Sequence, residues 1–297
     1  ETVRAVERRV AEIDIDALIA TGNLEEYIAD DIHTAFPTLA YTERPDRFSA
    51  GVVEGRVGLL IDGLPLGWLL PGTLSQFFKT PQDKSQGWMA ASALMVLRYL
   101  CMLITLFLPA VYIAAVTFHL EMLPTELALS IIAAKQDVPF TTVFEVLLML
   151  VAFEIIQEAG IRLPSSIGQT VSILGGLVVG SAAVEARIVS PAVLIVVAVA
   201  GIAGYTMPSQ DFAGALRIWR FGLAALASLA GMFGAAIGAL LLICHLASLE
   251  SFGVAYLTPF AANDGEQVEG HAVIRQPLPS VKLRETALKT QNRRNQR

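Results

Sequence analysis

Long apolar runs without Asp, Glu, Lys or Arg dominate the chain after residue 88. A bilayer core of about 30 Å needs roughly 20 apolar residues per helix, and four runs are that long: 99–118, 163–184, 188–210 and 221–249. A fifth run, 138–156, is interrupted by Glu145 and Glu154. We therefore predict four full membrane spans plus one re-entrant or interfacial segment within 124–160.

A different pattern, typical of a water-facing domain, precedes these runs. From Val6 to Leu18 apolar residues recur at helical spacing, which predicts an amphipathic helix over 3–24 that stops at Gly22-Asn23. Residues 51–71 contain short apolar runs separated by Glu54-Gly55 and Asp62-Gly63, and Asp-Gly between such runs favours a hairpin. We expect 1–87 to be the C-terminal part of a small soluble α+β domain.

Composition and charge agree with a membrane protein. The chain is 54% hydrophobic and 16% charged, with a mean hydropathy of +0.59, which is too apolar for an ordinary soluble domain of this length. The fold class predicted is a mainly α, polytopic membrane helix bundle over 88–261, preceded by the partial α+β domain. We expect no exported N-terminal segment, because no signal-peptide pattern precedes the acidic residues.

The last segment, 262–297, carries seven Lys/Arg against four Asp/Glu. It predicts a basic, disordered tail on the cytoplasmic side, because basic loops resist export. Both termini are then cytoplasmic, which requires an even number of spans. Six basic residues lie near its end: Lys282, Arg284, Lys289, Arg293, Arg294 and Arg297.

Small residues form a ridge along the run 163–184. They recur every fourth position, which lets helix backbones approach closely in lipid: Gly168, Ser172, Gly176 and Gly180. The neighbouring helix belongs either to the same subunit or to another one. The run 221–249 has a second ridge of this kind, with Gly234 in a row of small residues beside it; the ridge comprises Ala227, Gly231, Ala235 and Ala239.

The opposite side of that helix has polar ends and an apolar middle. It comprises Thr170, Leu174, Leu177, Val178, Ser181 and Glu185. Repeated around a ring of subunits, this side predicts a pore with a hydrophobic constriction and a carboxylate ring at Glu185 that favours cations. The alternative is a plain packing helix whose apolar middle faces lipid or neighbouring helices.

Three carboxylates lie in or near the predicted membrane region, where ionisable side chains face protein or water. Glu145, Glu154 and Glu158 either contribute to an ion path or form structural pairs, such as Glu158 with Arg162. Three arginines near span ends are expected to be interfacial anchors: Arg98, Arg217 and Arg220.

Enzymatic, metal-binding and nucleic-acid functions receive no support. The chain has no H-E-x-x-H, G-x-S-x-G or G-x-x-x-x-G-K-[ST] motif, and His119 and His245 have no ligand-spaced partner. The basic tail lacks interleaved aromatic residues, so we expect no nucleic-acid partner. Attraction to anionic lipid headgroups is enough to account for its positive charge. We also expect no cofactor.

Specific strings resemble one family along nearly the whole chain to about Pro259. In order they are T-E-R-P-D (42–46), V-E-G-R-V (53–57), M-L-P-T (122–125), V-P-F (138–140), E-A-G-I-R-L-P (158–164), I-G-Q-T (167–170), A-A-V-E-A (182–186), I-V-S-P (188–191) and S-F-G-V (251–254). Together they are similar to the GerA family of spore germination proteins.

The resemblance implies the A subunit of a nutrient (germinant) receptor in the inner membrane of the spore. Its implied partners are a transporter-like, nutrient-binding B subunit and a C-subunit lipoprotein. Its implied activity is that of a ring-shaped homo-oligomer forming a nutrient-gated cation channel. A non-conducting scaffold subunit and a transporter remain alternatives, although no inverted repeat typical of transporters is visible.

Overall fold

The computed structural model describes residues 2–15, 21–162, 176, 178–260 and 273–277, together with residues 284, 288, 290 and 294. The chain divides into two compact units. Unit 1 comprises Glu1–Tyr99, Met207–Ala215 and Ile243–Arg297, and unit 2 comprises Leu100–Thr206 and Leu216–Leu242.

Unit 1 combines short helices with a small antiparallel sheet. Its elements are α1 (Thr2–Ala11), α2 (Thr21–Ile28), β1 (Ala40–Thr42), α3 (Pro45–Glu54), β2 (Val57–Leu60), β3 (Gly67–Leu70), α4 (Leu74–Phe78), α5 (Pro81–Ser85), β4 (Glu250–Ser251) and β5 (Val254–Ala255). The sheet order is β1-β3-β2, and β4 pairs with β5. A buried core joins the N-terminal helices, the sheet and the segment after residue 248, through Val6, Leu24, Ile28, Leu39, Trp68, Leu70 and Phe252.

The hairpin predicted at Asp62-Gly63 is present, and Glu54-Gly55 marks the end of a helix. Strands β2 and β3 pair antiparallel across a loop that contains Asp62-Gly63, and Gly63 has a φ of +86°. Gly55 instead ends α3 in the left-handed conformation, with a φ of 106°, because glycine terminates a helix there without steric cost. Glu54-Gly55 therefore separates helix α3 from strand β2.

The single helix predicted over 3–24 is wrong in its bounds. Helix α1 ends at Ala11, and Gly22 and Asn23 lie inside α2. Ile13 and Ile15 are β-branched and alternate with aspartates, and neither residue type favours a helix interior.

The regular elements described in unit 2 are all helices. Helix α6 (Trp88–Phe118) enters it from unit 1 and is followed by a 3₁₀ turn (Leu120–Met122), α7 (Thr125–Lys135), α8 (Thr142–Arg162), residues 178–185, which we label α9, and α10 (Pro191–Gly204). Helices α8 and α10 pack closely, since a Cβ at Gly201 would lie 2.4 Å from the Phe153 ring. Thr105 Oγ1 of α6 donates a 3.2 Å hydrogen bond to the Ala200 carbonyl of α10.

The last helical segment, α11 (Gln210–Ser248), is a hairpin of two helical arms. Its residues Ala230 and Gly231 are non-helical, and a straight helix of this length would be about 58 Å long. The Phe36 ring nevertheless lies 5.8 Å from the Phe212 ring and 6.1 Å from the His245 ring. Both ends of α11 therefore lie beside one residue, and the chain reverses at Ala230-Gly231.

This reversal corrects the prediction of one long span over 221–249. The arms are 210–229, about 30 Å long, and 232–248, about 25 Å long. They approach closely, because a Cβ at Gly234 would lie 2.0 Å from the Leu226 carbonyl oxygen. The second small-residue ridge is consequently broken at Gly231, whose φ is +60°.

The predicted span 188–210 and the run 138–156 also differ from the helices observed. Helix α10 covers only Pro191–Gly204 of the run 188–210, about 21 Å, and it ends before Pro208, which cannot continue a helix. Helix α7 ends at Lys135, before the run 138–156, and α8 begins within that run at Thr142 and continues past it to Arg162. Most of 163–184 lies outside the described residues, so the number of spans remains a prediction.

Two helices of the described chain are long and apolar enough to cross a membrane by length and composition: Trp88–Phe118 and Gln210–Ser248. A third apolar helix, Pro191–Gly204, is shorter. Because Gln210–Ser248 contains the reversal at Ala230-Gly231, the length to compare with the bilayer thickness is that of each arm.

Candidate functional site

Glu145 is the most buried of the three predicted carboxylates, with none of its surface exposed. It lies in the first turn of α8, which begins after Thr141, whose Oγ1 accepts the Phe144 N–H at 3.4 Å. Its Oε2 accepts a 2.8 Å hydrogen bond from the Ser190 N–H. Its Oε1 lies 3.7 Å from Lys135 Nζ and has no hydrogen-bond partner.

Lys135 and Ser190 are helix-end residues that sequence patterns did not single out. Lys135 lies in the last turn of α7 and donates a hydrogen bond to Thr142 Oγ1. Ser190 is the N-cap of α10. The signal available in the sequence was weak: a Ser-Pro pair at a helix start and a lysine at a helix end, with no indication that both meet Glu145.

Glu154 joins α8 to the first arm of α11. It pairs with Arg220 and, at 3.3 Å, with Arg217 Nη1. Arg220 is 3% exposed, whereas Arg217 and Glu154 are about one quarter exposed. The structure thus brings both arginines, predicted as interfacial anchors, onto one carboxylate, and the cluster carries one surplus positive charge.

Glu158 has the structural pairing considered for it. Its Oε1 lies 2.6 Å from Arg162 Nη2, one helical turn away, and both side chains are exposed. An exposed pair of this kind contributes little to stability. Glu154 and Glu158, although on one helical face, therefore have different partners.

Only part of the predicted pore helix lies among the described residues. Thr170, Leu174, Leu177, Gly168 and Ser172 lie outside them. In α9, Val178, Ser181 and Glu185 are exposed.

The glycine ridge is packed at Gly180 and open at Gly176. Gly180 is buried, and a Cβ there would lie 3.0 Å from Leu194 Cδ1 of α10. At Gly176 a Cβ would meet no atom within 4 Å. Gly180 therefore packs within the chain, as one of the two alternatives expected.

Besides the hydrogen bond from Ser190 to Glu145, an ion pair holds the turn that follows α9. Arg187, with a φ of 57°, lies 3.3 Å from Asp137 in the connection between α7 and α8. Both side chains are about two-thirds exposed. The turn 186–190 is thus linked to α7 and α8 at both Arg187 and Ser190.

In unit 1, Arg98 of α6 forms a buried ion pair with Asp83 of α5. Its guanidinium donates to both Asp83 oxygens, at 2.7 and 2.9 Å, and to the Phe78 carbonyl at 2.8 Å. Burial by itself raises the pKa of Asp83, but hydrogen bonds from Arg98 and from the Thr80 N–H bring that pKa below its ordinary value. Arg98 therefore links α5 to the first half of α6 and also lies near a predicted span end.

Residues 273–277 of the predicted tail contact the same region of unit 1. The Arg275 N–H donates to Ser92 Oγ at 3.0 Å. Its guanidinium donates to the Gln86 carbonyl at 2.7 Å and to the Lys84 carbonyl at 3.2 Å. This arginine thereby satisfies carbonyl groups at the end of α5.

Comparison with known proteins gives one family. The family model described as "Bacillus/Clostridium GerA spore germination protein" matches residues 1–287. No solved structure matches the chain.

Curated relatives agree with this family match. Spore germination protein B1 of Bacillus subtilis is 42% identical over 284 residues, 96% of this chain and 59% of that protein. Spore germination protein KA of the same organism is 42% identical, covering 93% of this chain and 51% of that protein. The uncharacterized membrane protein YfkQ, also of Bacillus subtilis, is 40% identical over 91% of this chain and 52% of its own length. The chain thus spans between one half and three fifths of these relatives.

Proposed function

The chain belongs to the GerA family of spore germination proteins, and from that premise we propose that it is the membrane part of a germinant-receptor A subunit. In this proposal it acts as a ring-forming, nutrient-gated cation channel in the spore inner membrane. It works without chemical catalysis or cofactor, together with a nutrient-binding B subunit and a C-subunit lipoprotein.

The observation that carries the channel proposal is the two-sided character of α9. Its glycine side packs on α10 at Gly180. Val178, Ser181 and Glu185 share another side of the helix and are exposed. An exposed side with an apolar residue followed by a hydroxyl and a carboxylate suits a water-filled path better than lipid, because a charged side chain in lipid is costly.

Repetition of that side around a ring would supply both a gate and a filter. The apolar level at Leu177 and Val178 excludes water when narrow, and a ring of Glu185 carboxylates attracts cations. The nutrient acts from the partner subunit in this proposal, so ligand binding must widen the apolar level.

The arrangement of unit 1 supports an even number of membrane crossings. Ser251 Oγ donates to the Thr38 carbonyl at 2.8 Å, and Thr34 Oγ1 lies 3.0 Å from His245 Nε2. Segments before α6 and after α11 thus fold together, which requires them to share one side of the membrane. The basic tail favours the cytoplasmic side for both.

A flux experiment tests the channel proposal. The chain would be reconstituted in liposomes with and without the B- and C-type subunits, and K⁺ release would be followed before and after nutrient addition. We expect nutrient-dependent release only with the partners present. Val178→Ser should give release without nutrient, because a hydroxyl lowers the barrier of a hydrophobic constriction to water.

Leu229→Ser provides the matched control for this substitution. Leu229 is also exposed, at 78%, but lies next to the hairpin turn of α11, so its polar variant should keep nutrient dependence. Assembled complexes that release no K⁺ with or without nutrient would favour a non-conducting scaffold. Val178→Ser complexes as tight as wild type before nutrient addition would show that Val178 does not form the constriction. Uptake against a gradient would favour a transporter.

A further inference from the structure

Three helix ends meet at the Glu145 carboxylate. It lies in the first turn of its own helix α8, it accepts the N–H of the α10 N-cap Ser190 at 2.8 Å, and it lies 3.7 Å from Lys135 in the last turn of α7. Carboxylates are stabilised at helix N-termini, and lysines at C-termini. The negative Glu145 therefore lies at the N-termini of α8 and α10, and the positive Lys135 lies at the C-terminus of α7, as the helix dipoles favour.

The bond to Ser190 resembles half of a capping box made by another helix. In a capping box, a glutamate in the first turn accepts the N–H of its own N-cap residue. Here the glutamate comes from α8, and the N-cap belongs to α10, 45 residues later. Without this acceptor the Ser190 N–H would be buried and unpaired, since Ser190 is 3% exposed, and such a loss is costly.

Ser190 directly follows the turn that ends α9. We infer that Glu145 is a positioning residue: through the Ser190 N–H, and with Lys135 as its counter-charge, it fixes the C-terminal end of α9 and so the height of Glu185. The exposed Arg187–Asp137 pair is a weaker second tether. The consequence for ion conduction rests on the proposed function, whereas the tether itself does not.

The geometry distinguishes this role from that of an ion-lining carboxylate. Glu145 has no exposed surface, one oxygen faces a backbone N–H, and the other is nearest an ammonium group. A passing cation would have to displace Lys135. Glu145 therefore influences ions through the position of α9 rather than by contact.

Cysteine protection of the turn tests the tether without any ion current. Val189, adjacent to Ser190, is 1% exposed, so Val189→Cys reports detachment of the turn. The protein would be reconstituted in liposomes after Cys101→Ala and Cys244→Ser, and labelled with a membrane-permeant maleimide. Glu145→Leu should speed labelling about tenfold, because it leaves a buried N–H without its acceptor.

Two variants make the result specific. Glu145→Gln should label close to the parent rate, since the amide oxygen can still accept the Ser190 N–H. Glu126→Gln removes an exposed carboxylate from the first turn of α7 and should have no effect. Equal labelling of Glu145→Leu and the parent, or equally fast labelling of the Leu and Gln variants, would overturn the inference.

The reversal potential of the same variants separates this inference from the proposed function. Glu145→Leu should weaken cation selectivity, and Glu145→Gln should retain it, if α9 lines the pore. Expected labelling with no ion current in any protein would support the tether and reject the channel. Current with unchanged labelling would reject the tether and leave the channel standing.

Discussion

At the scale of single residues, a buried ion pair between Asp83 and Arg98 stabilises unit 1. Asp83 and Arg98 are 6% and 13% exposed in their side chains, and Asp83 also accepts the Thr80 N–H at 2.7 Å. Because the carboxylate is paired in the folded state, its pKa lies below the ordinary value once these bonds outweigh the effect of burial. The ionised form therefore stabilises unit 1.

The pH dependence of stability follows from that direction. A lowered pKa in the folded state gives stabilisation that is complete above the unfolded-state pKa of about 4 and is lost as the pH falls further. We expect Asp83→Asn to lower stability at neutral pH by about 3 kcal/mol, as for other broken buried pairs. Its Tm should also fall less steeply than that of the wild type below about pH 4.

Thermal unfolding of the detergent-solubilised protein across this pH range measures both effects. Asp46→Asn is the control, because its partner Arg44 is exposed and the pair lies on the surface, so its Tm should remain near the wild-type value. A pH profile of Asp83→Asn that parallels the wild type would show that the Asp83 charge does not stabilise the fold.

At the scale of elements, the hairpin in α11 is the largest departure from the predicted pattern. Gly231 has a φ of 60°, a conformation that other residues rarely adopt. The arms are in contact, since a Cβ at Gly238 would lie 2.6 Å from a Leu223 methyl group. Small residues in 221–249 therefore serve packing between arms of one chain.

Substitution of glycines tests this hairpin. Gly234→Ala would place a Cβ 2.0 Å from a backbone oxygen of the other arm, so the arms must separate, and we expect a loss of at least about 2 kcal/mol. At Gly222 a Cβ meets nothing within 4 Å, and Gly222→Ala should leave stability unchanged or raise it by up to about 1 kcal/mol. Comparable Tm values for the two variants would argue for a straight helix.

The sequence predicted elements where local chemistry decides them. Asp62-Gly63 indicated the β2–β3 hairpin, and the apolar run 99–118 indicated most of α6, because turn residues and apolar length act locally. The reversal at Ala230-Gly231 has no such signal, since residues 221–249 on both sides of it are apolar and uncharged. Helical periodicity continues through it.

The sequence pattern also did not predict the ion-pair and hydrogen-bond partners that are distant along the chain. The pair of Glu158 and Arg162, four residues apart, was identified as one alternative, whereas Glu145 with Ser190 and Glu154 with Arg220 join residues 45 and 66 positions apart. Such pairs depend on how helices pack, which a single sequence does not encode locally. The sequence singled out the three carboxylates of α8, but it did not indicate the distant partners of Glu145 and Glu154.

At the scale of the whole molecule, the two units contain different kinds of structure. Unit 1 joins the segments before α6 and after α11 in one core, through residues such as Val6 and Phe252. Unit 2 holds the apolar helices, the buried Glu145 and the exposed side of α9. The chain spans about three fifths of the length of spore germination protein B1.

The reversal potential of the chain reconstituted with its B- and C-type partners under a KCl gradient tests whether α9 lines a cation-selective pore. We expect a nutrient-dependent current that reverses near the K⁺ equilibrium potential, because the Glu185 carboxylates favour cations. Glu185→Gln, in complexes that still assemble, should move the reversal potential toward zero. A current that reverses near the Cl⁻ equilibrium potential, or a cation preference unchanged by Glu185→Gln, would contradict a pore lined by α9.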